Sequence, residues 1–196
     1  MSSDKKKFPT RILVILAMYA ALASVLMLLE FPLSFLFPTF LKVDFSNLPV
    51  LLASFHFGPL AGIAVALIKN LIHLTASTTA GVGELANFII SAVFAGVAGL
   101  IYRFRKTKRG AVAGLVFGGL AMTLAAIFSN YFITIPFFSA AFGFENIIKM
   151  CSDLIPFVNT KWDVVLLSIT PFNLFMGVLI GGLTLLLYKR VRGLLK

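Results

Sequence analysis

The sequence predicts an all-α integral membrane protein of six transmembrane helices with both termini in the cytoplasm. Hydrophobic residues make up 60% and charged residues 12% of its 196 residues, and the mean hydropathy is +1.02, a composition typical of membrane proteins rather than soluble domains. Several apolar stretches are long enough to cross ~30 Å of hydrocarbon at about 1.5 Å per residue. They lack the alternating polarity of barrel strands, so we expect helices rather than a β-barrel. We therefore expect a single membrane domain over residues 1–196.

The charged residues predict the orientation of these helices. The net charge is +10, from 17 Lys and Arg against 7 Asp and Glu. Most of the basic residues fall in three clusters, at 5–11, 103–109 and 189–196, and most of the acids fall in the other connections. Because Lys and Arg are retained on the cytoplasmic side, the three clusters mark cytoplasmic ends. No soluble module interleaves these basic residues with aromatic ones, which argues against nucleic-acid binding.

The first helix is expected over residues 12–29. It follows Lys5, Lys6 and Lys7 as the apolar core of a signal peptide would, but no small-residue cleavage site follows it, so we expect it to be retained. The next connection, residues 31–44, is apolar although it lies on the wet side. We expect it to fold as an extracellular lid over a pocket, the alternative being a loop that only packs on the bundle.

The chain between the first helix and the second basic cluster must cross the membrane an even number of further times. This requirement predicts a pair of crossings between residues 46 and 77, with the turn at His56-Phe57-Gly58-Pro59. The pair consists of a short second helix at 47–57 and a third helix at 60–76. The remaining helices are expected at 84–103, 111–137 and 163–189.

Small residues recur at four-residue spacing, which lets helix backbones approach closely where lipid offers no hydrophobic drive. Most of these rows are expected to pack inside the bundle. The row in the first helix lies beside the cytoplasmic Lys cluster and is expected to dock another membrane subunit. Its members are Ala17, Ala20, Ala21 and Ser24.

Five polar residues lie in or beside the apolar segments near one outer face. Asn130 is expected about 10 Å and Asn173 about 15 Å below the outer boundary. Glu84 and Asn87 begin the fourth helix, and Asp44 ends the apolar connection. Because unpaired polar groups are costly in lipid, their convergence predicts a pocket that is open to the outside.

The chemistry of these side chains suggests a polar, aromatic solute. Amides offer both donors and acceptors and so suit a heterocycle with both on its edge. Phe88, Tyr131 and Phe172 adjoin the polar positions and would supply aromatic walls, while Pro171 would free a backbone carbonyl near Leu167. Hydrogen bonds between helices without any ligand are the alternative for each Asn.

Enzymatic and metal chemistry find little support. Cys151 is the one cysteine, and His56 and His73 lack a carboxylate at metalloprotease spacing. No phosphate-binding loop occurs. We therefore predict no catalytic residues, no metal and no cofactor. A self-sufficient small secondary transporter is the stronger alternative, although inverted repeats are not evident, and an intramembrane enzyme is the weaker one.

An ordered series of segments resembles the riboflavin-specific S component of energy-coupling factor (ECF) vitamin transporters. The segments are FLKVDFSNLP at 40–49, FGPLAG at 57–62, KN at 69–70, GELANF at 83–88, NYF at 130–132 and PFNL at 171–174. The resemblance implies a prokaryotic cell-membrane protein that captures riboflavin from outside, as a transported substrate and not a cofactor. It further implies a transmembrane coupling (T) subunit and two cytoplasmic ATPases as partners, with the small residues of the first helix facing the coupling subunit.

The same resemblance implies which residues contact the vitamin. It places a first group at the lid and pocket rim and a second group along the helices. The first group is Leu41, Lys42, Asp44 and Asn47, and the second is Glu84, Asn87, Asn130 and Asn173. Phe88 and Phe172, which adjoin polar positions, complete the predicted substrate contacts as aromatic walls. One departure stands out, because family members often have a lysine where this chain has Met176. A close relative that binds another vitamin is the remaining alternative.

Overall fold

A computed structural model of the protein describes residues 10–194. The basic residues Lys5, Lys6, Lys7 and Lys196, which contribute to the orientation argument above, lie outside the described residues. The predicted helical class is confirmed for residues 10–194, since nearly all of the regular structure there is helix.

The helices are described here as α1 to α9. Their bounds are Thr10–Leu28 (α1), Asn47–Phe57 (α2), Pro59–His73 (α3), Val82–Phe104 (α4), Lys108–Ser129 (α5), Ile135–Phe142 (α6), Phe144–Ser152 (α7), Lys161–Asp163 (α8) and Thr170–Leu194 (α9). A 3-10 turn, Leu74–Ala76, extends α3, and two π-helical segments, Asn130–Thr134 and Val164–Ile169, join α5 to α6 and α8 to α9. Strands β1 (Phe31–Pro32) and β2 (Lys42–Val43) pair antiparallel within the first connection, residues 29–46.

Between residues 10 and 194, five helical stretches are long and apolar enough to cross a membrane. They are Thr10–Leu28, Pro59–Ala76, Val82–Phe104, Lys108–Phe142 and Lys161–Arg190. Helix α2 is apolar but shorter, at 11 residues. The chain is therefore a multi-pass membrane protein. Helix α7 was not predicted from the sequence, and it buries Ile147 and Cys151, which are four residues apart on one face.

The short α2 lies inside the bundle, where it packs against α1, α3, α4 and α9. It ends at Phe57, and Gly58 then adopts φ 100°, a left-handed conformation that favours glycine. Pro59 follows at the first position of α3, where its missing N–H leaves no hydrogen bond unmade. The predicted turn therefore reverses the chain, and the burial of α2 explains how so short a helix is accommodated among apolar neighbours.

Close backbone contact between α4 and α5 organises the centre of the bundle. A Cβ atom added at Gly114 would lie 2.7 Å from the carbonyl oxygen of Ala98, too close for any side chain. Ser54 on α2 donates a hydrogen bond of 2.7 Å to the carbonyl of Ala95 on the same side of α4. These small residues therefore pack helices within the chain, as expected of most of the rows.

The two π-helical segments have a common cause in the prolines that follow them. Pro136 and Pro171 each come shortly after such a segment. A proline within a helix lacks the N–H and its ring crowds the carbonyl four residues earlier, and a widened turn relieves that crowding. Both widened segments lie in the halves of the last two long helical stretches that are remote from the basic loop 103–109, where the candidate site is found.

The row of small residues on α1 divides between two faces. Ala17 and Ala21 are exposed, whereas Ala20 and Ser24 are only 3% and 6% exposed, on the side of α1 that packs against α2 and α3. The prediction that all four residues face a partner is therefore corrected. Ala20 and Ser24 belong to the bundle, because their row is turned about 60° around the helix from the row of Ala17 and Ala21 and is covered by the neighbouring helices.

Candidate functional site

A cavity of about 300 Å³ opens at the end of the bundle opposite the basic loop 103–109. Helix α4 fixes this placement, because Glu84, Asn87 and Ile90 in its first turns line the cavity and its other end, Phe104, adjoins the basic loop. The first connection contributes Phe40, Leu41, Lys42 and Asp44 to the wall, and further walls come from α2, α3, α5 and α9. The volume is at the lower end of the ~300–1,000 Å³ typical of small-molecule pockets.

Most of the predicted substrate contacts come together in this cavity. Those that line it are Leu41, Lys42, Asp44, Asn47, Glu84, Asn87, Asn130, Phe172 and Asn173. Phe88 is not among the lining residues, because it lies about 100° around the helix from Asn87 and packs half-buried against the core. Tyr131 is likewise not a lining residue, and its ring stacks on Trp162 at 4.3 Å between centroids.

Asn130, directly after α5, and Asn173, on α9, are held in the same way. Asn130 Nδ2 donates to the carbonyl of Ala126 at 2.8 Å, and Asn173 Nδ2 donates to the carbonyl of Ile169 at 2.9 Å. Within the described chain neither amide oxygen accepts a hydrogen bond, so both remain acceptors for a guest in the cavity. The carbonyl that Pro171 was expected to free near Leu167 does not bind the Asn173 amide, because that amide donates to the carbonyl of Ile169. That this carbonyl accepts a hydrogen bond from the substrate stays a prediction.

The side chains that α2 and α4 contribute to the cavity present donors. Asn87 accepts a hydrogen bond of 3.1 Å from Ser91 Oγ through its amide oxygen. Asn47 accepts one of 3.2 Å from Lys69 Nζ, also through its oxygen. In the part of the chain that is described, the NH₂ groups of both amides donate to no other residue. The cavity therefore has amide donors on α2 and α4 and amide acceptors at the end of α5 and on α9.

Glu84 organises the short segment that precedes α4. Its Oε1 lies 2.9 Å from His73 Nδ1, and its Oε2 accepts from Ser77 Oγ at 2.9 Å and from Thr79 Oγ1 at 3.0 Å. An ionised carboxylate has about four acceptor positions. Protein groups therefore occupy three of the acceptor positions of Glu84, and the main role of this residue is to fix the rim of the cavity.

The first connection closes one side of the cavity through an apolar contact. Phe37 is 7% exposed, and its ring meets that of Phe172 edge to face at 5.2 Å between centroids. Lys42 pairs with Glu30 at 2.5 Å rather than with Asp44, and both partners are partly exposed. Asp44 instead accepts a hydrogen bond of 2.6 Å from the backbone N–H of Ser46. The connection is thus packed onto α9 and tied at both ends.

Several lining residues were missed in the sequence. Thr134 lines the cavity with a hydroxyl that has no hydrogen-bond partner among the described residues, and His73 and Glu30 also line it. Met27 and Met122 add apolar wall. Thr134 could have been predicted, because it is a polar residue four positions after Asn130 and so lies on the same face of a helix. Met27 could not, because it is far in sequence from the polar residues of the cavity.

Known proteins resemble this chain over almost its entire length. The family model described as ECF transporter, substrate-specific component, matches residues 11–188. The chain belongs to this family. Riboflavin transporter RibU of Staphylococcus aureus (strain TCH60) is 36% identical over 184 residues, covering 94% of the chain and 92% of the relative. Riboflavin transporter FmnP of Bacillus subtilis (strain 168) is 33% identical over 183 residues, covering 92% and 91%.

A solved structure agrees with these relatives. The S component of a bacterial ECF transporter superposes with a TM-score of 0.74 at 34% identity, covering 95% of this chain and 98% of the other. As an ECF substrate-specific component, the chain is a substrate-binding subunit of a transporter and not an enzyme. In this S component Met176 lines the cavity, 7% exposed, where the resemblance led us to expect a lysine in many members.

Proposed function

We propose that this S component binds riboflavin from outside the cell and delivers it inward. The observation that carries the proposal is the cavity opposite the basic loop, which is lined by amide donors from α2 and α4, by amide acceptors at the end of α5 and on α9, and by apolar side chains. The names of the curated relatives support the choice of vitamin, since both are riboflavin transporters.

The chemistry of a flavin matches this lining. The isoalloxazine ring is flat and apolar over much of its surface, and its pyrimidine edge carries both an N–H donor and carbonyl acceptors. The ribityl chain adds hydroxyl groups that both donate and accept. In this proposal the ring lies between Leu41, Phe172 and the neighbouring apolar side chains, and the amides of Asn87, Asn130 and Asn173 bond its polar edge and tail.

The proposed topology has six crossings with both termini in the cytoplasm of a prokaryotic cell. The α2–α3 pair supplies two crossings, the first of them short and buried, and the basic residues of loop 103–109 lie on the cytoplasmic side. The first connection then lies outside, as a lid over the cavity. The whole chain forms one membrane domain in this proposal.

The proposed partners are a transmembrane coupling subunit and two cytoplasmic ATPases, as the family name implies. The face of α1 that carries Ala17, Ala21, Met18 and Leu22 is exposed and is the proposed contact with the coupling subunit. Small residues there would allow close helix approach.

Riboflavin binding to the purified protein tests the proposal directly. Protein purified in detergent, without partners, should quench the fluorescence of added riboflavin to a one-to-one end point. Liposomes that hold this chain alone should take up no vitamin, whereas those that also hold the coupling subunit and ATPases should take it up with ATP. Failure to bind any flavin would refute the vitamin assignment, and uptake by the chain alone would favour a self-sufficient transporter.

A further inference from the structure

A buried lysine lies behind the cavity, in a place that the proposed binding mode does not use. Lys69 on α3 is 0% exposed and is the largest of the fully buried side chains. It does not line the cavity. A charged side chain in the membrane interior is costly unless it is paired and hydrogen-bonded, so its presence calls for a functional explanation.

The contacts of Lys69 all lead to the junction between the first connection and α2. Its Nζ donates to Ser46 Oγ at 2.5 Å and to Asn47 Oδ1 at 3.2 Å. Asp44, 6% exposed, is the carboxylate whose charge acts on it. Asp44 in turn accepts the backbone N–H of Ser46 at 2.6 Å. One cation on α3 therefore bonds Ser46 and Asn47 directly and interacts with Asp44 through its charge, so that three polar positions at the base of the proposed lid depend on it.

Two of these three positions line the cavity and the third does not. Asp44 and Asn47 are lining residues, whereas Ser46 is fully buried beneath them. By occupying the amide oxygen of Asn47, Lys69 directs the NH₂ group of that residue toward the cavity. Its positive charge also offsets the negative charge of Asp44, a buried carboxylate.

We propose that Lys69 is a positioning residue for substrate, which orients Asp44 and Asn47 toward riboflavin and fixes the base of the lid without touching the vitamin itself. The inference rests on the proposed function. In this proposal the affinity for riboflavin depends on a side chain of α3 that lies outside the cavity wall. It also explains why the Ser46 side chain makes no capping hydrogen bond to the start of α2, because the Ser46 hydroxyl accepts a hydrogen bond from Lys69 instead.

The decisive variant is Lys69→Met, which keeps the apolar stem and removes the charge. Its affinity for riboflavin should be about 10-fold to 100-fold weaker than that of the wild type, because Asp44 loses its cation and Asn47 its orientation. The matched control is Asn70→Ala, in the next and equally buried position, which should change affinity less than about twofold. The measurement is fluorescence-quench titration of the purified full-length protein.

A double-mutant cycle separates positioning from a merely structural role. Asp44→Asn removes the carboxylate whose charge acts on Lys69, so the loss of riboflavin affinity caused by Lys69→Met should shrink when the two substitutions are combined. In the Asp44→Asn background, Lys69→Met should cost less than about threefold.

Ser46→Ala tests the same inference if Lys69→Met does not fold. It removes one contact of Lys69 and leaves every charge in place, and it should speed riboflavin release by about 3-fold to 10-fold. Ser24→Ala, a buried serine on α1, is its control. Wild-type affinity in Lys69→Met or Ser46→Ala, or an undiminished effect of Lys69→Met in the Asp44→Asn background, would overturn the inference while leaving the proposed function intact. Absence of riboflavin binding by the wild type would overturn both.

Discussion

Replacing Asn173 by Ala tests whether the cavity amides contact the substrate. Asn173 and Asn70 form a matched pair, because each donates from Nδ2 to the carbonyl four residues earlier, at 2.9 Å and 2.8 Å. They are also similarly buried, at 6% and 3% exposure. Only Asn173 lines the cavity. The two substitutions therefore remove the same internal bond, and they differ only in what the cavity loses.

The expected loss of affinity follows from one hydrogen bond, because a donor of the flavin would lose the amide oxygen of Asn173 as its acceptor. Leaving a buried partner without its hydrogen bond costs about 1–3 kcal/mol, which corresponds to roughly a 5-fold to 150-fold rise in the dissociation constant. Asn173→Ala should show this loss, and Asn70→Ala should stay within about twofold of the wild type. Both should lower the thermal stability of the ligand-free protein to a similar extent, since both remove a buried amide.

The assay is a riboflavin titration by fluorescence quenching, with a thermal unfolding scan of each ligand-free variant. Asn130→Ala should behave as Asn173→Ala does, because its amide is held by the carbonyl of Ala126 and lines the same cavity. Equal losses of affinity in Asn70→Ala and Asn173→Ala would mean that the weaker binding results from the lower stability of both variants and not from a lost contact with riboflavin. The placement of substrate beside Asn173 would then be refuted.

Three further outcomes are expected. Lys42→Ala should weaken riboflavin binding less than about fivefold, because the pair of Lys42 with Glu30 is partly exposed and such pairs contribute about 0–1 kcal/mol. The loss should be smaller still at high salt. A larger loss would indicate that Lys42 contacts the vitamin directly. Gly114→Ala should destabilise the protein strongly in thermal scans, whereas Gly182→Ala, with nothing within 4 Å of the added Cβ, should not. Cys151 should react slowly with maleimide at neutral pH until the protein unfolds, because the thiol is fully buried and burial raises its pKa.

Helix length and charge were sufficient to predict that Asp44, Glu84, Asn87, Asn130 and Asn173 lie near one depth, and these five residues line one cavity. Depth does not specify direction around a helix, however. Phe88 adjoins Asn87 in the chain but turns away from the cavity. Ala20 and Ser24 share a spacing rule with Ala17 and Ala21, yet they face the bundle interior. Such choices depend on which neighbouring helix covers which face, and this is set by packing between distant segments.

Hydrogen-bond partners were also beyond reach of the sequence. Lys42 and Asp44 are two residues apart in a strand-like segment, and we expected them to contact the ligand or each other. In the structure Lys42 meets Glu30 across the short β1–β2 pair, and Asp44 turns to Ser46. The pairing of β1 with β2 decides this outcome, and two-residue strands leave no periodic signal to detect. Helix α7 was missed because it lies in the connection between the helices predicted at 111–137 and 163–189, for which no element was predicted.

The contacts of the first connection indicate what must break for the proposed lid to open. The Lys42–Glu30 pair is partly exposed and contributes little, about 0–1 kcal/mol. Full burial of a Phe side chain contributes about 1.5–3 kcal/mol, and Phe37 is buried against Phe172, the residue before Asn173. The apolar contact therefore dominates closure over the ion pair. Because the same ring of Phe172 lines the cavity, a bound flavin would support the surface on which Phe37 rests, and occupancy and closure would reinforce each other.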